Sequence, residues 1–284
     1  MIIDFHTHVF PEETVAEAIS KMEREAAENG GFPVKAKLSG TAAELEEKAR
    51  ENGIDWSIVL PVATSPRQTE GINLFAAREN ENSVRTGVFS FGAIHPDNEN
   101  YKEILRGLKA RGIKGIKLHP DHQGVYVDDM RCLRIMDFAA DLDLVIVVHA
   151  GTDIGKPKEA RSTVDRLCTV DDVLAYPKLV LAHMGGYGQW EEVEQKLLGR
   201  NVYLDTALCF EEEIPHLSVE QFRRFVDSHG YKRILFGTDS PWADQGRSVE
   251  VIRSAGLRRD QEAAVLGGNA MQLLGLEAYR QRKV

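Results

Sequence analysis

The chain has 284 residues, 43% of them hydrophobic and 28% charged, a composition ordinary for a globular protein with a sizeable core. A formal net charge of −9 argues against a nucleic-acid partner and an anionic membrane surface, both of which reward basic faces. No apolar run nears the roughly 20 residues that span a bilayer, no basic-then-apolar leader opens the chain, and Cys132, Cys168 and Cys209 form no CxxC pair; reduced thiols and a cytoplasmic location are expected.

The first element is Met1-Ile-Ile-Asp-Phe-His6-Thr-His8. In a strand, residues i and i+2 face the same side. His6 and His8 can therefore offer two imidazoles to one ion, although an isolated His-x-His also occurs without metal. A long interval follows, at about 10–54. It holds a charged helix near Glu12–Glu28, a Gly30-Gly31 break, a loop or small hairpin at Phe32–Gly40, and a lead-in helix at Ala42–Asn52.

With Ile2–Val9, short β-branched-rich runs recur at Trp56–Val62, Val88–His95, Ile113–His119, Leu144–His149, Leu179–His183, Val202–Thr206 and Ile234–Asp239. Helical periodicity separates most of them, at Tyr101–Arg111, Met130–Asp141, Trp190–Leu198 and Val219–His229. Strand then helix, repeated, indicates parallel βαβ units, and continuous apolar strands fit a sheet covered on both faces. Two architectures compete. An open doubly wound sheet would spread the ends of strands one, five, six and eight along a wide edge. A closed (β/α)8 TIM barrel brings them together at its C-terminal mouth. The strand-end residues select the barrel, expected as a single unit over 1–284.

Those residues are His6 and His8, His149, His183 and Asp239. Neutral imidazoles and a carboxylate suit a divalent transition ion, with a position left open for water. His6, His8, His149 and Asp239 form the expected metal set, and His183 is either a further ligand or a proton-transfer group. A lone strand-end histidine is more often structural; five such residues in barrel register are not easily explained that way.

The chain resembles the amidohydrolase superfamily, in the amidohydrolase-2 group of aminocarboxymuconate semialdehyde decarboxylase-like metal-dependent hydrolases. The resemblance covers essentially the whole chain. It is carried by Asp4-Phe-His-Thr-His8, Gly112-Ile-Lys-Gly-Ile-Lys-Leu-His-Pro120, Val148-His-Ala-Gly151, Ala182-His-Met-Gly-Gly186, Phe236-Gly-Thr-Asp-Ser-Pro241 and Leu266-Gly-Gly-Asn-Ala-Met-Gln-Leu-Leu-Gly275. It implies one divalent ion, usually zinc, with manganese or iron as alternatives, on His6, His8, His149 and Asp239. It implies that His183 acts as acid/base or polarises the substrate, and that Asp239 takes a proton from the water on the ion. In binuclear members a strand-four lysine is carbamylated, which makes Lys117 a carbamate candidate; a buried charge or inner hydrogen-bond donor is the expected alternative.

Around the mouth, Arg67, His119, Arg161 and Trp242 are candidate substrate contacts, with Lys156 and Lys158 beside Arg161 and with Tyr187 and Trp190 as candidate walls. Asp121 and His122 lie in a polar loop with no assigned partner, and His216 and His229 are expected at the surface. The sequence reading favours metal-assisted hydrolysis of a small, carboxylate-bearing ester, lactone or amide, with Asp239 and His183 catalytic. The alternative is non-oxidative decarboxylation of an unsaturated or aromatic acid by the same metal site. A barrel that only binds metal is the third class. The expected partner is a small-molecule substrate, with a homodimer as the default oligomer.

Overall fold

A computed structural model of the protein describes residues 1–32, 34–158 and 160–276. The end of the expected 1–284 span, and Pro33 within the expected 32–40 loop, lie outside the described residues. The strands are β1 (Ile3–Thr7), β2 (Trp56–Val59), β3 (Val88–Ser90), β4 (Gly92–Ala93), β5 (Gly115–Leu118), β6 (Val145–Val148), β7 (Leu179–Leu181), β8 (Tyr203–Asp205) and β9 (Ile234–Leu235). They pair in parallel in the orders β1-β2-β3 and β4 through β9.

β3 and β4 are two halves of one barrel strand. Phe91 between them keeps the ladder going by donating its N–H to Val59 O at 2.9 Å. The last strand closes on the first: Phe5 N donates to Phe236 O at 2.8 Å, Asp239 N to His6 O at 2.8 Å, and His8 N to Ser240 O at 2.6 Å. The result is a closed (β/α)8 TIM barrel, as the strand-end pattern required.

Strand parity sorts the apolar residues into two layers. Ile3, Phe5, Ile58, Phe91, Val145, Val147, Val180 and Leu235 cluster across non-adjacent strands, which places them inside the barrel. Ile116, Leu118, Ile146, Val148, Leu179 and Leu181 pack outward with helix residues such as Leu105, Ile135 and Leu167. Continuing the inner parity of β6 leads from Val145 and Val147 to His149. The same parity in β5 leads to Lys117 and His119, and in β9 to Asp239.

β1 breaks this rule. Phe5 packs edge-on against Phe91 in the inner cluster, yet its neighbour His6 also faces inward. The pairing with β2 slips by one residue between Asp4 and Thr7. A bulge of this kind re-aims a side chain, and here it switches the inner set from Ile3 and Phe5 to His6 and His8.

The long interval after β1 forms the helix Val15–Glu25, continued by a π-type turn at Ala26–Gly30, and the helix Ala42–Glu51. The described residues between 32 and 40 form neither helix nor strand, so no hairpin is seen there. The insertion lies across the mouth: Lys37 N donates to Pro241 O at 2.7 Å, and Asn29 Nδ2 to Gly155 O at 3.1 Å. At Gly30 a Cβ would fall 2.2 Å from Ile154 O, so only glycine allows this approach.

The three cysteines are free thiols, and no helix among the described residues is long and apolar enough to cross a membrane. His216 is exposed, as expected. His229 is not: it is buried, with Nδ1 accepting from Gly199 N at 3.1 Å and Nε2 donating to Val202 O at 2.9 Å. The turn Val226–Gly230 folds the ring under the 199–202 segment, which helical periodicity alone did not reveal.

Candidate active site

At the mouth, one carboxylate oxygen joins the two N-terminal histidines. Asp239 Oδ1 lies 3.2 Å from His6 Nε2 and 3.1 Å from His8 Nε2. Asp205 fixes the tautomer of His6, because its Oδ2 accepts from Nδ1 at 2.9 Å and leaves Nε2 with a lone pair. Lys117 Nζ stands 3.3 Å from that Nε2 and is its inner hydrogen-bond donor.

Burial, reinforced by the Lys117 charge, pulls the His6 imidazole down to about 4 despite the opposing carboxylates, so the ring is neutral. Burial also lowers the Lys117 ammonium to about 8. Burial alone would raise Asp239 and Asp205. The surrounding histidines outweigh it, with His8, His6 and His183 holding Asp239 well below the carboxylate range and His6 the main influence that brings Asp205 to about 2.

His183 is built by a strained turn. His183 has φ 55° and Asp239 φ 70°, both in the left-handed region that residues other than glycine seldom occupy. The turn is held from several sides. Asp205 Oδ1 accepts from His183 N at 3.0 Å and Ala207 N at 3.1 Å, and Trp190 Nε1 donates to His183 O at 3.1 Å. On the ring, Nδ1 donates to Ala207 O at 2.8 Å, because a carbonyl can only accept. With the Nδ1 proton given to that carbonyl, Nε2 accepts from His149 Nδ1, 3.0 Å away. That assignment leaves His149 Nε2 as a buried nitrogen with no partner among the described residues.

His149 does not share the compact group of His6, His8 and Asp239; it reaches that group through His183. Its other face stacks on His119, with centroids 4.0 Å apart and planes 12° from parallel. Burial, followed by the charges of His119 and His183, holds His149 well below the ordinary imidazole value. The stacking brings His119 to the mouth. Beyond it, Asp153 Oδ2 lies 3.4 Å from His119 Nε2 and 3.3 Å from His122 Nε2. Asp121, next in the chain, accepts from Arg161 N at 3.0 Å.

The other candidates are more dispersed. Arg67 is exposed on the turn Pro66–Gln68 and makes no hydrogen bond or ion pair with the cluster among the described residues. Trp242 is half-buried and donates its backbone N–H to Asp239 O at 2.9 Å. Arg161 stacks its guanidinium 5.2 Å from the Tyr126 ring centre. With Lys156, Lys158, Asn29 and Asp121 it lines an open depression of about 290 Å³. Tyr187 lies beside His183, its ring 6.1 Å away and its hydroxyl donating to Pro215 O at 2.8 Å.

Sequence reasoning missed three carboxylates. Asp205 ends a buried strand, and an acid at an inner position of an apolar run was a readable signal. Asp4 receives hydrogen bonds from Thr238 N, Thr238 Oγ1 and Gln245 Nε2 at 2.7–2.9 Å and ties β1 to the Asp239 segment; burial still raises its carboxyl to about 7. Asp153 lies in a loop without periodicity and carried no signal.

The amidohydrolase family model (Amidohydro_2) matches residues 3–276. No curated protein sequence matches the chain. Among solved structures, a dihydroxybenzoic acid decarboxylase from Polaromonas sp. JS666, with bound manganese and the inhibitor 2-nitroresorcinol, is similar at 17% identity and TM-score 0.72, over 97% of each chain. A 5-carboxyvanillate decarboxylase from Sphingomonas paucimobilis is similar at 16% identity and TM-score 0.66, over 96% of this chain and 98% of that one. An uncharacterized TIM-barrel protein from Bordetella bronchiseptica is similar at 19% identity and TM-score 0.73, over the same shares. At such identities the likeness speaks for the fold. The family match, spanning nearly every described residue, shows that the chain belongs to the amidohydrolase family of Amidohydro_2 type.

Proposed function

We propose that the protein is a metal-dependent carboxy-lyase that removes a carboxylate, without oxidation, from a small hydroxyaromatic or unsaturated acid. The observation that carries this reading is the convergence of His6 Nε2, His8 Nε2 and Asp239 Oδ1 at the barrel mouth, beside His183. The hydrolysis favoured by sequence reasoning is the weaker reading, because several of the solved structures that resemble the chain are decarboxylases.

The donor set fits a divalent ion. Two donors each about 2.0–2.2 Å from a tetrahedral ion sit about 3.4 Å apart, close to the 3.1 and 3.2 Å found here. His149 Nε2, buried and unpartnered among the described residues, is the expected further donor. When bound, such an ion would polarise a substrate oxygen and fix the acid's orientation; the same ligands suit zinc or manganese.

The chain's own groups supply the rest. Asp205 keeps His6 Nε2 unprotonated. Lys117, a donor to that nitrogen at 3.3 Å, is read as an amine rather than a carbamate. As the bond to the departing carbon dioxide breaks, its electron pair stays on the substrate carbon and a proton must arrive there. His183, anchored at Nδ1, would carry that proton on Nε2, with the hydrogen bond now accepted there from His149 Nδ1 giving way. Lys156, Lys158 and Arg161 give the adjoining depression a cationic rim that would draw an acid inward.

The test is a paired assay of the metal-loaded protein. Hydroxybenzoates and muconate-type acids form one panel, and lactones, esters and amides the other. The expected result is turnover in the first panel with carbon dioxide equal to product. Acid production confined to the second panel, without carbon dioxide, would instead establish the hydrolase.

A further inference from the structure

Beyond the site that would serve this reaction, the geometry points to a second cation site, formed by His119 Nε2, His122 Nε2 and Asp153 Oδ2, that takes a divalent transition ion such as zinc. The pattern at the mouth is repeated: one carboxylate oxygen again stands between two imidazole nitrogens. The separations are 3.4 and 3.3 Å. Those are longer than an ordinary N–H···O bond of about 2.9 Å, and they match the roughly 3.4 Å between donors that share a tetrahedral ion.

The cluster is not an exposed acidic patch. His119 is only 8% exposed, and its Nδ1 has no hydrogen-bond partner among the described residues. Asp153 Oδ1, also buried, has none either. Buried polar atoms rarely remain unsatisfied, so Asp153 Oδ1 is spare capacity that an ion or its water would use, while His119 Nδ1 is free to carry the proton that leaves Nε2 as a ligand.

The donors are held before any ion arrives. His119 and His122 flank the start and body of the short helix Pro120–Gln123, three residues apart. Gln123 clamps that turn: its Oε1 accepts from His119 N at 3.0 Å, and its Nε2 donates to Ala63 O at 3.0 Å and Ile94 O at 2.8 Å. Two imidazoles and one carboxylate select zinc, cobalt or nickel over magnesium or calcium. Asp121, between the two histidines, lines the open depression and so places an approach from solvent beside the site. The stacked His119–His149 pair connects this site to the first, so an ion here would stiffen the wall nearest His149.

The experiment is a zinc count on the full chain. Protein stripped by a chelator is titrated with zinc and passed through a desalting column, and bound zinc is measured by elemental mass spectrometry. Two ions per chain are expected in the wild type. His122→Asn and Asp153→Asn should each retain one, and His6→Ala with His8→Ala should also retain one. In zinc-soaked wild-type crystals, an anomalous peak should lie between His119, His122 and Asp153. A wild-type count of one that is lost in the His6/His8 double variant would overturn the second site. So would an unchanged count in both single variants, or no anomalous peak. A single ion lost only in His122→Asn or Asp153→Asn would uphold the second site and reject the first. If the variants fail to fold, the wild-type anomalous map decides.

Discussion

Asp205 Oδ2 lies 2.9 Å from His6 Nδ1, with the two side chains 0% and 1% exposed. The carboxylate that sets the tautomer of His6 also binds the backbone of the His183 turn with its other oxygen. One residue thus aligns a candidate metal ligand and the candidate proton carrier. Asp205→Asn should leave the fold intact, because the amide replaces the acid at equal volume. It should weaken metal affinity by about 10–100-fold, the usual cost of losing a partner that orients a ligating histidine. A metal titration alongside a thermal melt checks this; wild-type affinity in a folded variant would remove Asp205 from the account.

His183→Asn should reduce turnover by about 10²–10⁴-fold, the range for loss of a general acid or base, with metal content close to the wild type. The ring is held by Ala207 O and His149 Nδ1 and not by the His6–His8–Asp239 group. Metal lost in step with activity would make His183 a ligand. The intact mass of the native protein should show no added carbon dioxide on Lys117; a gain of that mass would restore the carbamate and a binuclear centre.

His229 gives a stability prediction away from the site. Burial, joined by the Arg233 charge, lowers its pKa in the folded state and outweighs the hydrogen bond to Val202 O, which favours the charged ring. The unfolded chain takes a proton near pH 6.5, while the folded chain resists it. The unfolded state therefore binds more protons just below that pH, and stability falls as pH drops from about 7 toward the lowered folded value, with a limiting slope of about 1.4 kcal/mol per pH unit. In His229→Gln the curve of unfolding free energy against pH should be flatter between about pH 7 and pH 5. Denaturant melts across that range check it, and an identical slope would mean that His229 does not contribute.

The barrel and the residues of its mouth were legible because each ends an apolar run. His6, His8, His149, His183 and Asp239 each stand at the end of an apolar run; parity carries the aim of the strand from Val145 and Val147 to His149 and from Leu235 to Asp239, whereas the bulge in β1 aims His6 and His8 and the left-handed turn after β7 aims His183. What stayed hidden depends on tertiary contacts. The bulge in β1 is a property of its pairing with β2, not of its own pattern. Asp153 meets His119 and His122 only because the loops after β5 and β6 lie side by side. The burial of His229 comes from the segment at 199–202 folding over it. Asp205 was readable in principle, as an acid in an inner strand position, but its partner on β1 was not.

If an ion on His6, His8 and Asp239 drives removal of a carboxylate, carbon dioxide release must follow metal occupancy. Carboxyl-labelled acids from the first panel would be given to native, chelated and metal-restored protein, with the His6→Ala/His8→Ala variant beside them. The account predicts labelled carbon dioxide from native protein, its loss on chelation, its return with zinc or manganese, and no return in the double variant at the same ion concentration. Release that survives in the chelated protein, or is restored equally in the double variant, would contradict it.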